Sequence, residues 1–366
     1  MVQVTTAFAD FLATRSAATL TVAPGITTPR RFSDARREHL ATRRAAGLFD
    51  FSFMGCAEIT GAASLAFLNS LQTRALDGVQ PARIVYTLLL RDDGTVLNDA
   101  TVWRLAHDRY WLFIGRHSDF ELIAHCAGEF DVTVCDISRQ HAVLAIQGAA
   151  SWRVIERCFA GQQLAALPYY GFQQLNFAGS DCWLARIGYS GETGYELVIA
   201  DAAGPVLWRA LLAAGADAGL LECGFDAVDS LRIEAGHILF ARELTAPVTP
   251  FEIGLARLVD FYHASFRGAD ALRAQRWRLP QRRLVGLLPT TDATTEPSLP
   301  ERIPPGRAAL TSACWSPLFK CCLGIGFVNA ADAYPGTAVK LRNGIRAQVA
   351  RLPFYDPAKY LPRKIR

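Results

Sequence analysis

Between Leu288 and Arg307 the chain reads LPTTDATTEPSLPERIPPGR, a run rich in proline, threonine and charge. Its apolar residues follow neither the two-residue period of a strand nor the 3.6-residue period of a helix, so no packed element is expected to run through it. It reads as a linker or long exposed loop, dividing the chain into 1–287, 288–307 and 308–366. Beyond it, TSACWSP, LGIGFVN, AVKLRN and AQVARLPFY are short apolar runs separated by Gly, Pro and the hairpin-type pair Asn343-Gly344. They predict a small antiparallel barrel or sandwich.

Upstream, strands and helices mix without the regular alternation of a doubly wound parallel sheet. Leu65, Leu68 and Leu71 recur at three-residue intervals and predict a helix over Ala62–Leu71. Ala82–Leu90 and Val96–Leu105 read as antiparallel strands joined by a turn at Arg91-Asp92-Asp93-Gly94, and Tyr110–Gly115, Val143–Gln147 and Cys182–Gly188 as further strands. Pro205–Ala214 and Gly224–Ala235 read as helices, the second ended by Gly236. The layout is α+β.

With 51% apolar residues among 366, the chain can bury a large core and is not expected to be disordered. Its most apolar stretch, Pro205–Leu221, is interrupted by Arg209 and Asp217, so no membrane span is expected. Asp10 and Arg15 lie where the apolar core of a secretion signal would fall, which points to a cytoplasmic protein. The nine cysteines include no C-x-x-C and read as reduced thiols. His117 and His125 lie near Cys126 without a third ligand of matching spacing, so no metal is expected. A net charge of +4 suits an anionic small ligand but lacks the dense Lys/Arg blocks of a nucleic-acid binder.

The common phosphate-loop, dinucleotide and zinc-protease signatures are absent. Three polar clusters remain: Gly94–Asp99 on the return strand of the hairpin, Arg186–Glu196 (RIGYSGETGYE), and Asp229–Gly236 (DSLRIEAG). Each has a plain structural reading, as a hydrogen-bonded strand residue, a glycine turn and an i,i+3 helix ion pair. Together they could also line a pocket for a flat polar heterocycle. Glu192 could accept two hydrogen bonds from a ring amide and amino group, Tyr189 or Tyr195 could stack, and Arg232 could pair with an anionic tail.

These segments, with RRAAGLFDFSFM (Arg43–Met54), LAIQG (Leu144–Gly148), Pro250-Phe251-Glu252, Phe266-Arg267-Gly268, Arg282–Leu287, Thr311-Ser312, Ser316-Pro317 and Pro353-Phe354-Tyr355, occur in the order and spacing of one family. Through nearly its whole length the chain resembles the aminomethyltransferases, the T-protein of the glycine cleavage system and its tetrahydrofolate-dependent relatives. The resemblance implies a three-domain cloverleaf around a folate cavity, with a small C-terminal β-barrel. It implies tetrahydrofolate as cofactor, Asp99 as the catalytic carboxylate, Glu192 as the pterin-holding glutamate, Arg232 near the folate and Tyr86 lining the same cavity. A carboxylate at Asp99 could orient a one-carbon transfer and assist its proton movement.

The chain departs from the family pattern on the substrate side. It carries Gly115-Arg116-His117 where an Asn-Ala is usual, Ser190 for threonine, and Ala256-Arg257 where a tryptophan is usual; the K-G-C-Y-x-G-Q-E signature of an iron–sulfur maturation branch is missing. Arg116, His117 and Met54 are therefore the candidate substrate contacts, a guanidinium there suiting a small carboxylate. The resulting expectation is a paralogue moving a one-carbon unit between a small molecule and tetrahydrofolate. The alternatives are a glycine-cleavage aminomethyltransferase acting on a lipoyl carrier protein, and a non-catalytic folate-binding protein.

Overall fold

The structure, a computed structural model, describes residues 6–23, 26–262, 265–290, 308–342 and 344–364. It divides into two compact units, each assembled from separate stretches of chain: Met1–Met54, Ile137–Ala235 and Tyr355–Arg366 in the first, Gly55–Asp136 and Gly236–Phe354 in the second.

The first unit is built on a six-stranded sheet in the order Phe172–Phe177, Ser180–Ala185, Gly194–Ala200, His141–Gln147, Ala46–Asp50, Leu220–Glu222. All pairs are antiparallel except the last. Alternate residues of the central strands, Leu144 and Ile146, Leu197 and Ile199, point to one face. There they pack with Phe8 and Leu12 of helix Ala7–Arg15, Val154 and Ile155 of Ser151–Cys158, and Leu207, Trp208 and Leu211 of Gly204–Gly215. Helices Ala35–Arg44 and Phe225–Glu234 pack on each other. The second ends before Gly236, whose φ of +65° is the left-handed conformation expected of a helix-stopping glycine. The strand expected over Cys182–Gly188 ends at Ala185, because Gly191 at φ +80° bends the following segment into a turn.

The second unit carries two five-stranded sheets. One, antiparallel throughout, has the order Arg83–Leu90, Val96–Arg104, Arg109–Ile114, Gly55–Thr60, Thr133–Asp136. Helices Ser64–Leu71 and Phe120–Ala127 cover one of its faces through Phe67, Leu68, Leu71 and Ile123. On the other face Leu88, Leu90 and Val96 join Ile238, Leu244, Val248, Leu258 and Leu272. The other sheet runs Ala309–Ser316, Cys321–Asn329, Arg282–Pro289, Arg346–Ala350, Ala338–Lys340.

The strands expected after the linker are present, but their central partner, Arg282–Pro289, comes from before it. Leu288 and Pro289, expected to open the linker, close this strand. The rest of that run, 291–307, lies outside the described residues, as does Asn343 of the expected hairpin pair. No helix among the described residues is long and apolar enough to cross a membrane.

Candidate functional site

Asp99 sits where the hairpin Arg83–Leu90/Val96–Arg104 breaks its own register. Leu89 pairs with Asn98 and Leu90 with Val96, so Leu97 is an extra residue on the return strand. Such a bulge re-aims the side chains that follow. Asn98, fully buried, turns to the helix-covered face and donates from Nδ2 to Asp119 Oδ2 at 2.8 Å. Asp99 turns the other way and accepts a hydrogen bond from the Tyr86 hydroxyl at Oδ2, 2.9 Å. Tyr86 faces Thr101 across the ladder, so it reaches Asp99 as a diagonal neighbour on one face.

Desolvation pushes the Asp99 carboxyl above its ordinary value, and the Glu243 charge adds to this; the Tyr86 hydrogen bond and a backbone bond oppose it. Glu243 is itself fully buried, its Oε1 accepting from Thr311 (2.5 Å) and Ser312 (2.6 Å) and its Oε2 from the Leu239 amide (2.7 Å). The Thr311-Ser312 pair thus serves to fix a carboxylate.

Arg116 and His117 stand at the end of the neighbouring strand. Arg116 lies 3.8 Å from Asp119 and stacks over the Phe240 ring at 5.7 Å; His117 meets Phe120 edge-on. Gly115 is required here, since a Cβ would come within 2.1 Å of the Phe240 ring. Arg116 is therefore a half-buried wall residue in loose contact with Asp119, which burial raises above the ordinary carboxylate value.

In the first unit Glu192 is buried and committed. Arg43 donates from Nη1 to Glu192 Oε1 (2.9 Å) and to the Ser190 carbonyl (2.9 Å), and from Nε and Nη2 to Glu234 Oε2 (2.9 and 2.8 Å). Its guanidinium lies 3.9 Å over the Tyr355 ring, and the Tyr355 hydroxyl is hydrogen-bonded to Glu192. Glu234 Oε1 is 3.1 Å from His39 Nε2, whose Nδ1 is 2.7 Å from Ser230 Oγ. Arg232, read from sequence as either a surface ion pair or a folate contact, is fully buried and paired with Asp229 at 2.7 Å. Tyr189 is half-buried in the same turn, and Met54 half-buried at the end of Phe51–Met54.

Tyr195 does not join this group. It follows Gly194 on the strand with its side chain on the helix-covered face, 3% exposed, its ring against Trp152 at 5.4 Å. Alternation puts its neighbour Glu196 on the opposite face. Glu196 stands between Ala185 and Ala145 on the flanking strands. It has no hydrogen-bonding or ion-pair partner among the described residues, and desolvation alone pushes its carboxyl from 4.5 to about 8.

Nearby, Tyr169 feels the Glu196 charge and packs on Tyr170 with ring centroids 4.4 Å apart. Tyr170 has φ +62°, a conformation uncommon for tyrosine and concentrated at functional sites. Sequence reasoning missed all three residues. The available signals were a lone charge in the buried-strand sequence YELVIA and the Pro168-Tyr169-Tyr170-Gly171 turn.

Residues 8–263 match the profile of the GCVT N-terminal domain family. Curated relatives named aminomethyltransferase include one from Streptomyces avermitilis, 36% identical over 93% of this chain and 95% of the relative. Another, from Moorella thermoacetica, is 35% identical over 90% of this chain and 92% of its own. The chain belongs to the aminomethyltransferase (glycine cleavage T-protein) family. The crystal structure of glycine cleavage system aminomethyltransferase T from Bartonella henselae superposes with a TM-score of 0.83 at 27% identity, covering 95% of this chain and 97% of that one. The α+β fold expected of the aminomethyltransferase family is thus the fold of this chain.

Proposed function

We propose that this chain is a tetrahydrofolate-dependent one-carbon transferase in which Asp99 is the catalytic carboxylate. The observation that carries the reading is the Tyr86–Asp99 pair, a desolvated carboxyl held on a strand in a chain of this family. A strand holds a side chain to the narrow tolerance that a transfer step demands. A carboxyl raised toward working pH is suited to exchange a proton as the bond to the one-carbon unit changes hands. Tyr86 keeps Asp99 oriented and biases it toward the charged form, which can support positive charge developing at a nitrogen.

Tetrahydrofolate supplies a nucleophilic nitrogen that takes up the one-carbon unit. The residues of the first unit suit its pterin, and they favour Glu196 over Glu192 as the group that holds it. Glu192 already satisfies Arg43 and Tyr355, whereas Glu196 is an acceptor with no partner among the described residues, beside a tyrosine pair able to stack on a ring. Arg232, already paired with Asp229, supports that region from within the fold.

Relatives named aminomethyltransferase favour an aminomethyl donor, for which a lipoyl carrier protein is the expected bearer. The loosely paired Arg116 favours a small carboxylate-bearing donor instead. Incubation with tetrahydrofolate and each donor, followed by mass analysis of the folate, separates them. Methylene-tetrahydrofolate with ammonia release from the aminomethyl-lipoyl carrier supports the first; one-carbon folate from a small amine or methyl donor alone supports the second. Folate binding without any one-carbon product from either overturns the transferase reading.

A further inference from the structure

The second unit presents large apolar side chains to solvent that neither the core nor the transfer reaction uses. Trp277 is 84% exposed, Leu279 85% and Tyr262 92%. Single exposed apolar residues are ordinary, but an exposed tryptophan braced by other groups is not. The Arg276 guanidinium lies 4.8 Å from the Trp277 ring and 4.9 Å from that of Phe261, and Phe261 stacks on Phe251 at 6.2 Å with planes 3° apart. Arg276 thus lies against both the Trp277 and the Phe261 ring, forming a platform.

Charge identifies what the platform suits. Along Arg273–Arg283 (RAQRWRLPQRR), Arg273 is neutralised by Asp270 and Arg282 by Glu252. Arg276, Arg278 and Arg283 are exposed and have no acidic partner among the described residues. Uncompensated arginines in the same stretch as exposed Trp and Leu, next to the platform, match the side-chain types found at protein–protein interfaces. A nucleic-acid groove would call for a denser basic field than a chain of net charge +4 carries. An amphipathic helix lying on a membrane would need a long apolar face, whereas helix Ala269–Gln275 buries its apolar residues Ala269 and Leu272.

We infer that the Arg276–Trp277 platform, with Leu279, Tyr262, Arg278 and Arg283, docks an acidic protein segment that presents carboxylates around an apolar side chain. The inference goes beyond the transferase reading and does not depend on it. The test uses the full chain and a short fluorescein-labelled peptide of alternating glutamate and leucine, with a lysine–leucine peptide, phosphatidylglycerol vesicles and single-stranded RNA as competing probes.

The expected result is saturable anisotropy with the acidic peptide alone, weakening as salt is added. Replacing Trp277 and Arg276 together by serine should lower the affinity about tenfold or more, and Arg283→Ser should lower it less. An unchanged circular-dichroism spectrum and melting temperature in the serine variants show that the fold is intact. Equal peptide affinity in wild type and the double variant overturns the inference. So does preferential binding of vesicles or RNA that the double variant abolishes.

Discussion

Glu192 and Glu196 lie four residues apart in one glycine-rich motif, yet the fold treats them in opposite ways. Glu192, in the turn, is buried against Arg43 and Tyr355 and belongs to a network that reaches Glu234 and His39. Glu196, on the strand, stands between two alanines with no bonding partner among the described residues. The hairpin of the second unit repeats the contrast with adjacent residues: Asn98 is tied to Asp119 on one face, while Asp99 meets Tyr86 on the other. In both places a polar residue tied into a buried network sits beside one that the proposed transfer reaction would use. A motif match by itself does not say which is which.

The largest effect should come from breaking the saturated side of the comparison. Arg43→Met removes the cation shared by Glu192 and Glu234 and leaves two buried carboxylates without it. Such a loss costs about 3–5 kcal/mol, so the melting temperature should fall steeply. A variant melting within a degree or two of wild type would show that the network is not what holds this region together.

Asp99→Asn keeps shape and removes charge. Turnover with the true donor should fall by roughly 10² or more while folate affinity changes little. Near-normal turnover would reassign Asp99 to structure.

Its neighbour Asn98 is no neutral control, because it is the buried donor to Asp119. Asn98→Ala should destabilise the chain by about 1–3 kcal/mol in denaturant titration, the cost of leaving a buried group unsatisfied. Its effect on turnover should be smaller than that of Asp99→Asn.

The mildest change is Tyr86→Phe. The Tyr86 hydrogen bond lowers an Asp99 pKa that burial raises, so removing it lets that pKa rise further. If the carboxylate is the active form, activity is lost as pH falls through this pKa. The acid limb of the pH–rate profile should therefore lie above the ordinary carboxylate value of 3.8 and move to higher pH in Tyr86→Phe. A limb that stays in place would remove Asp99 as its source.

Much of this was legible in the sequence, and the illegible part has a common cause. The hairpin, the helix stopped by Gly236 and the placement of Asn98 and Asp99 on opposite faces follow from local turn chemistry and period-2 alternation. The pairing of Arg43 with Glu192 and Glu234 did not, since those partners lie far along the chain and meet only through tertiary packing. The same holds for Arg282–Pro289, whose strand partners lie on the other side of the proline-rich run. Of the two stacking candidates, Tyr195 turns to the helix-covered face against Trp152, a strand phase that an aromatic in a glycine-rich motif does not reveal by itself. The same phase exposes Glu196.

Calorimetric titration of tetrahydrofolate into wild type, Glu196→Gln and Glu192→Gln across pH 5 to 9 tests this division most directly. Glu196, with no partner among the described residues and a carboxyl raised to about 8 by desolvation, holds its proton more readily than an ordinary carboxylate, and pterin donors would draw it into the charged form. Wild-type affinity should therefore rise with pH up to about 8, with proton release on binding. Glu196→Gln should bind at least about tenfold more weakly and lose that pH dependence. Glu192→Gln should bind within a few fold of wild type at temperatures where it remains folded. Wild-type affinity and pH dependence in Glu196→Gln, with loss of binding in a folded Glu192→Gln, would contradict the account and return the pterin to Glu192.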